Sequence, residues 1–359
     1  MRKYAAIALC TSAILAGCNT SNVSQEPKKE KKVQEVAIQK EALQEQGKIS
    51  YTPITHESTN TSIHITDLKD SLNEVQYKIW RTADGKERAK SFSSKEKEKQ
   101  FTIPFDIKEF EGKRGEFQIE ATGMKEDGKT IPLTKSIITF EQKVPVLMYH
   151  AIDDYHGQGI KDLFVSPANF EAQMKHLKDN GYTLLTFERW GDINKVNKPI
   201  FVTFDDGMKN NMNAFRVLQK LKDDTFKPAA TEYMIVDNVD VEGALSTSEI
   251  KEMVDSGIFS VQSHTATHAD LPKITNYEEE LKGSKEKLEK ITGKPVIAIA
   301  YPFGHVDDKV VTETKKYYQF ATTKPGQFIT KGEPDELLKM KRVRIHHTTT
   351  VEQFASSIK

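Results

Sequence analysis

Apolar residues alternate with polar ones from residue 49 to about residue 141, then gather into short solid runs separated by helical spacing from residue 144 onward. The alternating part predicts half-buried strands at 61–66, 75–80, 100–103, 115–120 and 135–140. Ala83-Asp84-Gly85 and Glu126-Asp127-Gly128 supply turns between them. Short strands spaced this way predict a small all-β immunoglobulin-like sandwich, with Trp80 in its core and His56 and His64 on its surface.

The second part alternates strand with helix. Strands are predicted at 144–149, 184–185, 199–204, 229–236, 258–261, 296–300 and 320–321. Ser166-Pro167 opens a helix whose inner face is Phe170, Met174 and Leu177, and Gly181 ends it. Further helices are predicted at 208–222, after the Ser246/Glu249 capping-box spacing, at 277–291 and at 307–317. Near-continuous apolar strands between helices imply an α/β domain with a parallel sheet, either a barrel or doubly wound. His150, Asp205, Asp206, His264, His268 and the Tyr301-Pro302 turn all follow the ends of predicted strands. In a parallel barrel those ends form the catalytic face.

The N-terminus reads as targeting rather than fold. Met1-Arg2-Lys3 is basic, residues 5–15 are apolar, and Leu15-Ala16-Gly17-Cys18 resembles a bacterial lipobox. This predicts a signal peptide over 1–17 and a lipid on Cys18 that anchors the chain to the cell membrane; an ordinary secretory signal is the alternative. The two cysteines are Cys10 and Cys18, so the mature chain is expected to have no disulfide partner. Residues 18–48 are polar and charge-rich, which predicts a tether, with a short helix at 33–46 as the alternative. The sandwich is then expected over 49–142 and the α/β domain over 143–359. Lys and Arg number 52 and Asp and Glu 52, a formal net charge of +0, which argues against nucleic acid as a partner.

Two strings concentrate the chemistry. Thr203-Phe204-Asp205-Asp206-Gly207 puts adjacent carboxylates after an apolar run, and His264-Thr265-Ala266-Thr267-His268 puts two imidazoles four residues apart after another. Asp206, His264 and His268 form an Asp-His-His set for a divalent metal, with Zn²⁺ the expected ion. A dication on Asp206 offsets repulsion between the carboxylates and leaves Asp205 free as a general base. Asp-Asp-Gly alone is usually a turn, and His-x-x-x-His can simply share a helix face; the metal reading rests on their joint occurrence after strands of one domain. A zincin helix needs Glu at position 265, which is Thr265. An iron oxygenase shares the ligand types but usually shows a His-x-Asp pair. There is no Walker loop, Gly-x-Ser-x-Gly elbow or cysteine nucleophile.

With these motifs, residues 143–359 resemble a NodB-type polysaccharide deacetylase of carbohydrate esterase family four. Thr-Phe-Asp-Asp-Gly and Ser263-His-Thr-x-x-His268 match its first two motifs, and Ala300-Tyr301-Pro302-Phe303-Gly304 stands in place of the third. The opening Val146-Leu-Met-Tyr-His150-Ala-Ile resembles the branch that includes poly-N-acetylglucosamine deacetylases. The resemblance implies a distorted (β/α) barrel and metal-dependent removal of N-acetyl groups from a glycan polymer. It implies Asp205 as base, Asp206, His264 and His268 as metal ligands, and the Phe303 N–H as an oxyanion donor. It also implies His150 as the acid, with His346 and His347 as alternatives. Tyr301 and Phe303 are candidates to stack on a sugar ring, with core packing as the other reading.

Three departures stand out. Many members carry an arginine where this chain has Ala300, and Arg342 or Arg344 is a candidate replacement. The late Leu-x-x-His-Asp motif is absent, and an Asp-x-x-Asp-Trp motif has no match. The expected function is N-deacetylation of an extracytoplasmic glycan, peptidoglycan or poly-N-acetylglucosamine, on a bacterial surface of Gram-positive type. The alternatives are a cell-wall-binding structural lipoprotein with little turnover, or an O-acetyl esterase on the same scaffold.

Overall fold

The computed structural model describes residues 46–95, 100–326 and 335–359. The expected signal peptide, the lipidation site Cys18 and nearly all of the tether lie outside the described residues.

Period-two alternation buries Ile63 and Ile65 of strand Asn60–Thr66, Val75, Tyr77 and Ile79 of strand Glu74–Arg81, and Phe117, Ile119 and Ala121 of strand Gly115–Met124. These residues line the inner faces of two antiparallel sheets, one of three strands and one of four, around a single apolar cluster. Phe105 meets Phe117 edge-on at 5.3 Å, and the Tyr77 hydroxyl donates to the Phe101 carbonyl of the facing sheet at 2.8 Å. Strands Lys48–Tyr51 and Lys90–Lys95 escape the sequence pattern because both are exposed sheet edges with little alternation. Trp80 does not join the core. Its even position puts it on the outer face, half-buried, with the Lys86 ammonium 5.1 Å from its ring centre.

Seven of the remaining strands close into a parallel barrel. Around the ring they run Val146–Tyr149, Pro199–Phe204, Ala230–Met234, Phe259–Ser263, Ala298–Ala300, Phe320–Pro325 and Met340–Arg344, which pairs back to the first. Thr183–Leu185 lies beside the first half of Pro199–Phe204. Alternation sorts the layers. Phe201, Tyr233, Ala298, Ala300 and Met340 pack in the lumen, while Ile200, Val202, Phe204, Ile299 and Val343 pack outward in the cluster shared with the helices. Helix Pro167–Asp179 starts at Ser166, whose hydroxyl accepts from Asn169 N–H, and it buries Phe170, Met174 and Leu177. Helix Thr247–Asp255 carries the complete Ser246/Glu249 capping box.

Three elements differ from the sequence reading. The helix expected from 208 begins at Asn211, because positive φ at Asp206 and Gly207 and a bridge from Met208 to Ala244 keep the chain in a turn. The helix expected over 277–291 is a π-helical stretch, Glu278–Gly283, running into an α-helix, Ser284–Thr292. Strand Met340–Arg344 was not expected: three of its five side chains are cationic, which hides a barrel strand behind polar composition.

The two-sheet unit is fastened to the loop that feeds barrel strand Pro199–Phe204. Glu116 N–H donates to Asn194 O at 2.7 Å, and the Gln142 amide donates to Ile193 O and Val196 O at 2.8 Å each. Arg81 is 1% exposed. It donates to Arg114 O at 2.7 Å and to Asn197 Oδ1 at 3.2 Å, and pairs with Asp84 at 2.9 Å. Removing it leaves several partly buried acceptors without their donor. Arg81→Met is therefore expected to lower stability by about 2–4 kcal/mol in urea unfolding. Lys90→Met, which breaks an exposed pair with Glu109, is expected to change it by less than about 0.5 kcal/mol. Equal effects would contradict this account of the junction.

Candidate metal centre

Each ligand turn is built by breaking a strand with left-handed backbone. Strand Pro199–Phe204 ends and Asp206 turns at φ +77°, Gly207 at φ +68°. Asp205 continues the inward parity of the strand, and the turn swings Asp206 across the mouth. Strand Phe259–Ser263 ends before His264, and Thr265 and His268 take φ +67° and +63°. The His268 N–H closes this turn by donating to Thr265 Oγ1 at 3.0 Å. The histidines therefore share a tight loop rather than a helix face.

One ligand atom each from Asp206, His264 and His268 lie within 4.8 Å of one another. Asp206 Oδ1 is 3.5 Å from His264 Nε2 and 3.8 Å from His268 Nε2. Tetrahedral zinc, with bonds of about 2.0–2.1 Å, holds ligand atoms about 3.3 Å apart, a spacing that both Asp206–histidine distances approach. His264 Nδ1 lies 2.7 Å from Ala300 O. A carbonyl only accepts, so Nδ1 carries the proton and Nε2 presents its lone pair to the cavity. Burial disfavours charge on His264, yet the Asp206 and Asp205 carboxylates raise its pKa above the ordinary value. The cluster thus favours added positive charge. Donor types, spacing and tautomer all fit a divalent cation.

Asp205 is 3% exposed and Arg342 2%. The two form a bidentate pair, Nη1 to Oδ1 at 2.6 Å and Nη2 to Oδ2 at 2.7 Å. Arg342 Nη1 also donates to Thr203 Oγ1 at 3.2 Å, and its guanidinium lies 5.8 Å from the Tyr233 ring centre. Burial pushes the Asp205 pKa up, but the Arg342 charge overrides it and holds the carboxyl well below the carboxylate range. Ala298 and Ala300 put only methyl groups into the lumen, which leaves volume for this guanidinium. Arg344 does not reach Asp205; it pairs with Asp162 at 3.1 Å.

His150 Nε2 lies 3.9 Å from Asp205 Oδ2. Burial lowers its pKa despite the nearby carboxylates, which keeps the ring neutral at pH 7. It lines a cavity of about 380 Å³ with Asp205, Asp206, His264, His268 and Phe303. His346 and His347 sit elsewhere: Nδ1 of the first is 2.8 Å from Asp162, and Nδ1 of the second donates to Phe164 O at 2.8 Å. Phe303 is 60% exposed at φ +61°, with its ring 4.6 Å from that of His268. Tyr301, the other candidate sugar platform, is 0% exposed and its side chain belongs to the core between barrel and helices. That burial corrects the stacking role.

Two carboxyls escaped the sequence reading. Glu232 is fully buried beneath the Asp206 turn, accepts from Asn211 Nδ2 at 3.0 Å, and has its pKa driven far up by burial. Glu280 is 8% exposed and accepts three hydrogen bonds from the loop that bears the histidines. A signal existed for both. Glu232 interrupts an apolar strand, and Glu280 shares the core-facing spacing of Tyr277, Leu281 and Leu288.

Comparison with known proteins places this geometry. The polysaccharide deacetylase family model matches residues 192–319. A crystal structure of a polysaccharide deacetylase from Bacillus cereus is 99% identical, covering 88% of this chain and 100% of that one with a TM-score of 0.86. The Streptococcus pyogenes deacetylase PplD, solved in complex with acetate, is 28% identical over 61% of this chain and 99% of its own, with a TM-score of 0.55. A poly-beta-1,6-N-acetyl-D-glucosamine N-deacetylase of Staphylococcus aureus is 29% identical over 178 residues, 44% of this chain and 59% of that protein. The chain spans 59% to 66% of the length of the curated relatives it matches. On the family match and the near-identity with the Bacillus cereus structure, the chain belongs to the polysaccharide deacetylase family.

Proposed function

We propose that this chain is a zinc-dependent N-deacetylase of an extracytoplasmic glycan, either peptidoglycan or poly-N-acetylglucosamine. The observation that carries the reading is the Asp205 carboxylate, clamped by Arg342 beside the Asp206-His264-His268 set and 3.9 Å from His150. The S. aureus relative is named for the poly-N-acetylglucosamine reaction, and the S. pyogenes relative was solved with acetate, the small product of deacetylation. Asp206, His264 and His268 would hold the ion, which supplies Lewis acidity for activating water and polarising the acetamide carbonyl.

The protein groups divide the proton work. Arg342 keeps Asp205 ionised and aimed, so Asp205 Oδ2 accepts the proton of the attacking water. The same guanidinium makes Asp205 a weak base that does not retain the proton. Neutral His150 receives it, and Nε2 delivers it to the amine nitrogen as the C–N bond breaks. The Phe303 N–H donates to the developing oxyanion, and its exposed ring packs on the sugar. Of the alternatives, a structural lipoprotein with little turnover drew its support from the missing arginine at Ala300; Arg342 on Asp205 supports turnover instead.

The same proposal puts the enzyme outside a Gram-positive cell. A lipid on Cys18 anchors it, the polar segment tethers it, and the two-sheet unit is an immunoglobulin-like spacer ahead of the barrel. The lipobox and the composition of residues 18–48 support this placement.

Purified protein with added Zn²⁺ is expected to release acetate from N-acetylglucosamine oligomers or peptidoglycan, and a chelator to stop it reversibly. Asp205→Asn and His150→Gln should each lower the rate about 100- to 10,000-fold. No acetate from the unaltered protein would overturn the proposal, and release from O-acetylated substrates alone would assign an esterase.

Arg342→Met strands a buried carboxylate and is expected to cost about 3–5 kcal/mol in denaturant unfolding, with activity lost. Asp205→Asn combined with Arg342→Met should recover much of that stability and none of the activity. A double variant as unstable as Arg342→Met would show that the guanidinium matters for packing alone.

A further inference from the structure

We propose that Glu280 is a positioning residue for the metal-binding histidine pair, holding the His264–His268 loop in the one conformation that brings both Nε2 atoms to Asp206. The inference rests on the reading of Asp206, His264 and His268 as a cation site.

The loop needs an external restraint. Thr265 and His268 are both non-glycine residues in the left-handed region, a conformation that surrounding structure must enforce. Glu280 supplies the enforcement from behind. One oxygen, Oε2, accepts both the Ala266 and the Thr267 N–H at 3.0 Å each, and Oε1 accepts the Thr267 hydroxyl at 2.6 Å. A single carboxylate thus collects three donors from two consecutive residues midway between the ligands. Such bonds to a charged acceptor are stronger than neutral ones. Glu280 touches neither the 380 Å³ cavity nor either imidazole, so its influence passes through the backbone.

The helix that carries Glu280 is shaped for the task. Glu280 lies in the π-helical stretch Glu278–Gly283, and inserted π turns often mark functional positions. One turn on, the Ser284 hydroxyl donates to Glu280 O at 2.7 Å and lies 2.9 Å from Ser263 Oγ. Ser263 Oγ in turn accepts the Thr265 N–H at 3.1 Å. One helix therefore grips the loop at its entry and at its middle. From the other side, the Thr265 and Ala266 carbonyls accept from Val236 and Asp237 N–H at 3.2 and 3.0 Å. Without Glu280 this second grip remains, which predicts a looser loop rather than an unfolded one.

The test measures Zn²⁺ affinity of the full chain by competition with a chromophoric chelator, alongside the unfolding midpoint of the metal-free protein. Glu280→Ala leaves the Ala266 and Thr267 N–H groups without their acceptor and is expected to weaken Zn²⁺ binding about 10- to 100-fold, the usual effect of losing a group that orients a ligand. Glu280→Gln keeps an acceptor for both N–H groups, and its amide can donate to the Thr267 hydroxyl; it should stay within about 3-fold of the unaltered protein. Glu280→Asp, one methylene short, should fall between them, and it decides the matter if the alanine variant fails to fold. Wild-type affinity in both Glu280→Ala and Glu280→Asp overturns the proposal, as does a Glu280→Gln loss equal to that of alanine. Asp206→Asn serves as the reference. If it binds Zn²⁺ as tightly as the unaltered protein, the cation-site reading itself has failed. If it loses Zn²⁺ while the Glu280 variants do not, only the positioning role is wrong.

Discussion

The Arg342–Asp205 pair is the constraint around which the barrel and its chemistry are organised. Both partners are buried, so each has given up hydration worth several kcal/mol, and the bidentate contact offsets the loss only while the geometry holds. The two residues sit on strands that are not neighbours: Val146–Tyr149 lies between Pro199–Phe204 and Met340–Arg344. Thr203 completes the link, accepting from Arg342 and donating to Leu147 O of the intervening strand at 2.6 Å. The last strand of the ring is thereby tied to the strand that delivers the carboxylates. Closing the barrel and fixing Asp205 are one event.

Strain is concentrated at the same end of the molecule. Among the described residues, Asp206, Thr265, His268 and Phe303 are four of the non-glycine residues with positive φ; Asp206, His268 and Phe303 line the cavity, and Thr265 directly follows His264, which lines it too. Each unusual backbone turn aims a group that a regular strand or helix would point elsewhere. The cost is borne by buried carboxyls that lie behind the turns: Glu280 behind the histidine loop and Glu232 beneath the aspartate turn, where Asn211 and its helix begin. Candidate ligands at the rim and acids behind them make a two-layer arrangement: Glu280 accepts from the backbone of the histidine loop, and Glu232 from the Asn211 side chain.

What could be read from the chain follows from what is local. Apolar runs followed by Asp-Asp-Gly and by His-x-x-x-His are short-range patterns, and a parallel barrel brings such strand ends to one face whatever the details. The helix caps at Ser166 and Ser246 are local too, and the geometry realises both. Partners distant in sequence were open. Arg342 lies 137 residues from Asp205, and nothing near it separates it from Arg344, whose side chain goes to Asp162. Parity puts both on the cavity side of their strand, so depth along the strand decides that choice, and Met340–Arg344 was itself hidden by its charges. Parity also explains Trp80, one residue out of step with Tyr77 and Ile79, and burial explains Tyr301, whose neighbour Phe303 alone reaches solvent.

Ala300 then takes on a positive meaning. A strand that ended in arginine there would bring a second guanidinium into a lumen already occupied by Arg342, with one carboxylate between them. Two buried cations sharing a single anion leave net charge in a low-dielectric space, which is far costlier than a matched pair. Alanine at 300 and arginine at 342 are therefore complementary: the methyl group leaves the volume, and the distant strand supplies the charge. His264 depends on the same residue in a second way, because it orients its ring on the Ala300 carbonyl, a backbone group that any side chain at 300 would retain. The backbone at Ala300 thus still holds the His264 ring, while the guanidinium that clamps Asp205 comes from another strand. What the proposed mechanism requires is a guanidinium against Asp205 inside the barrel, and the strand that delivers it is free to vary so long as the parity is inward.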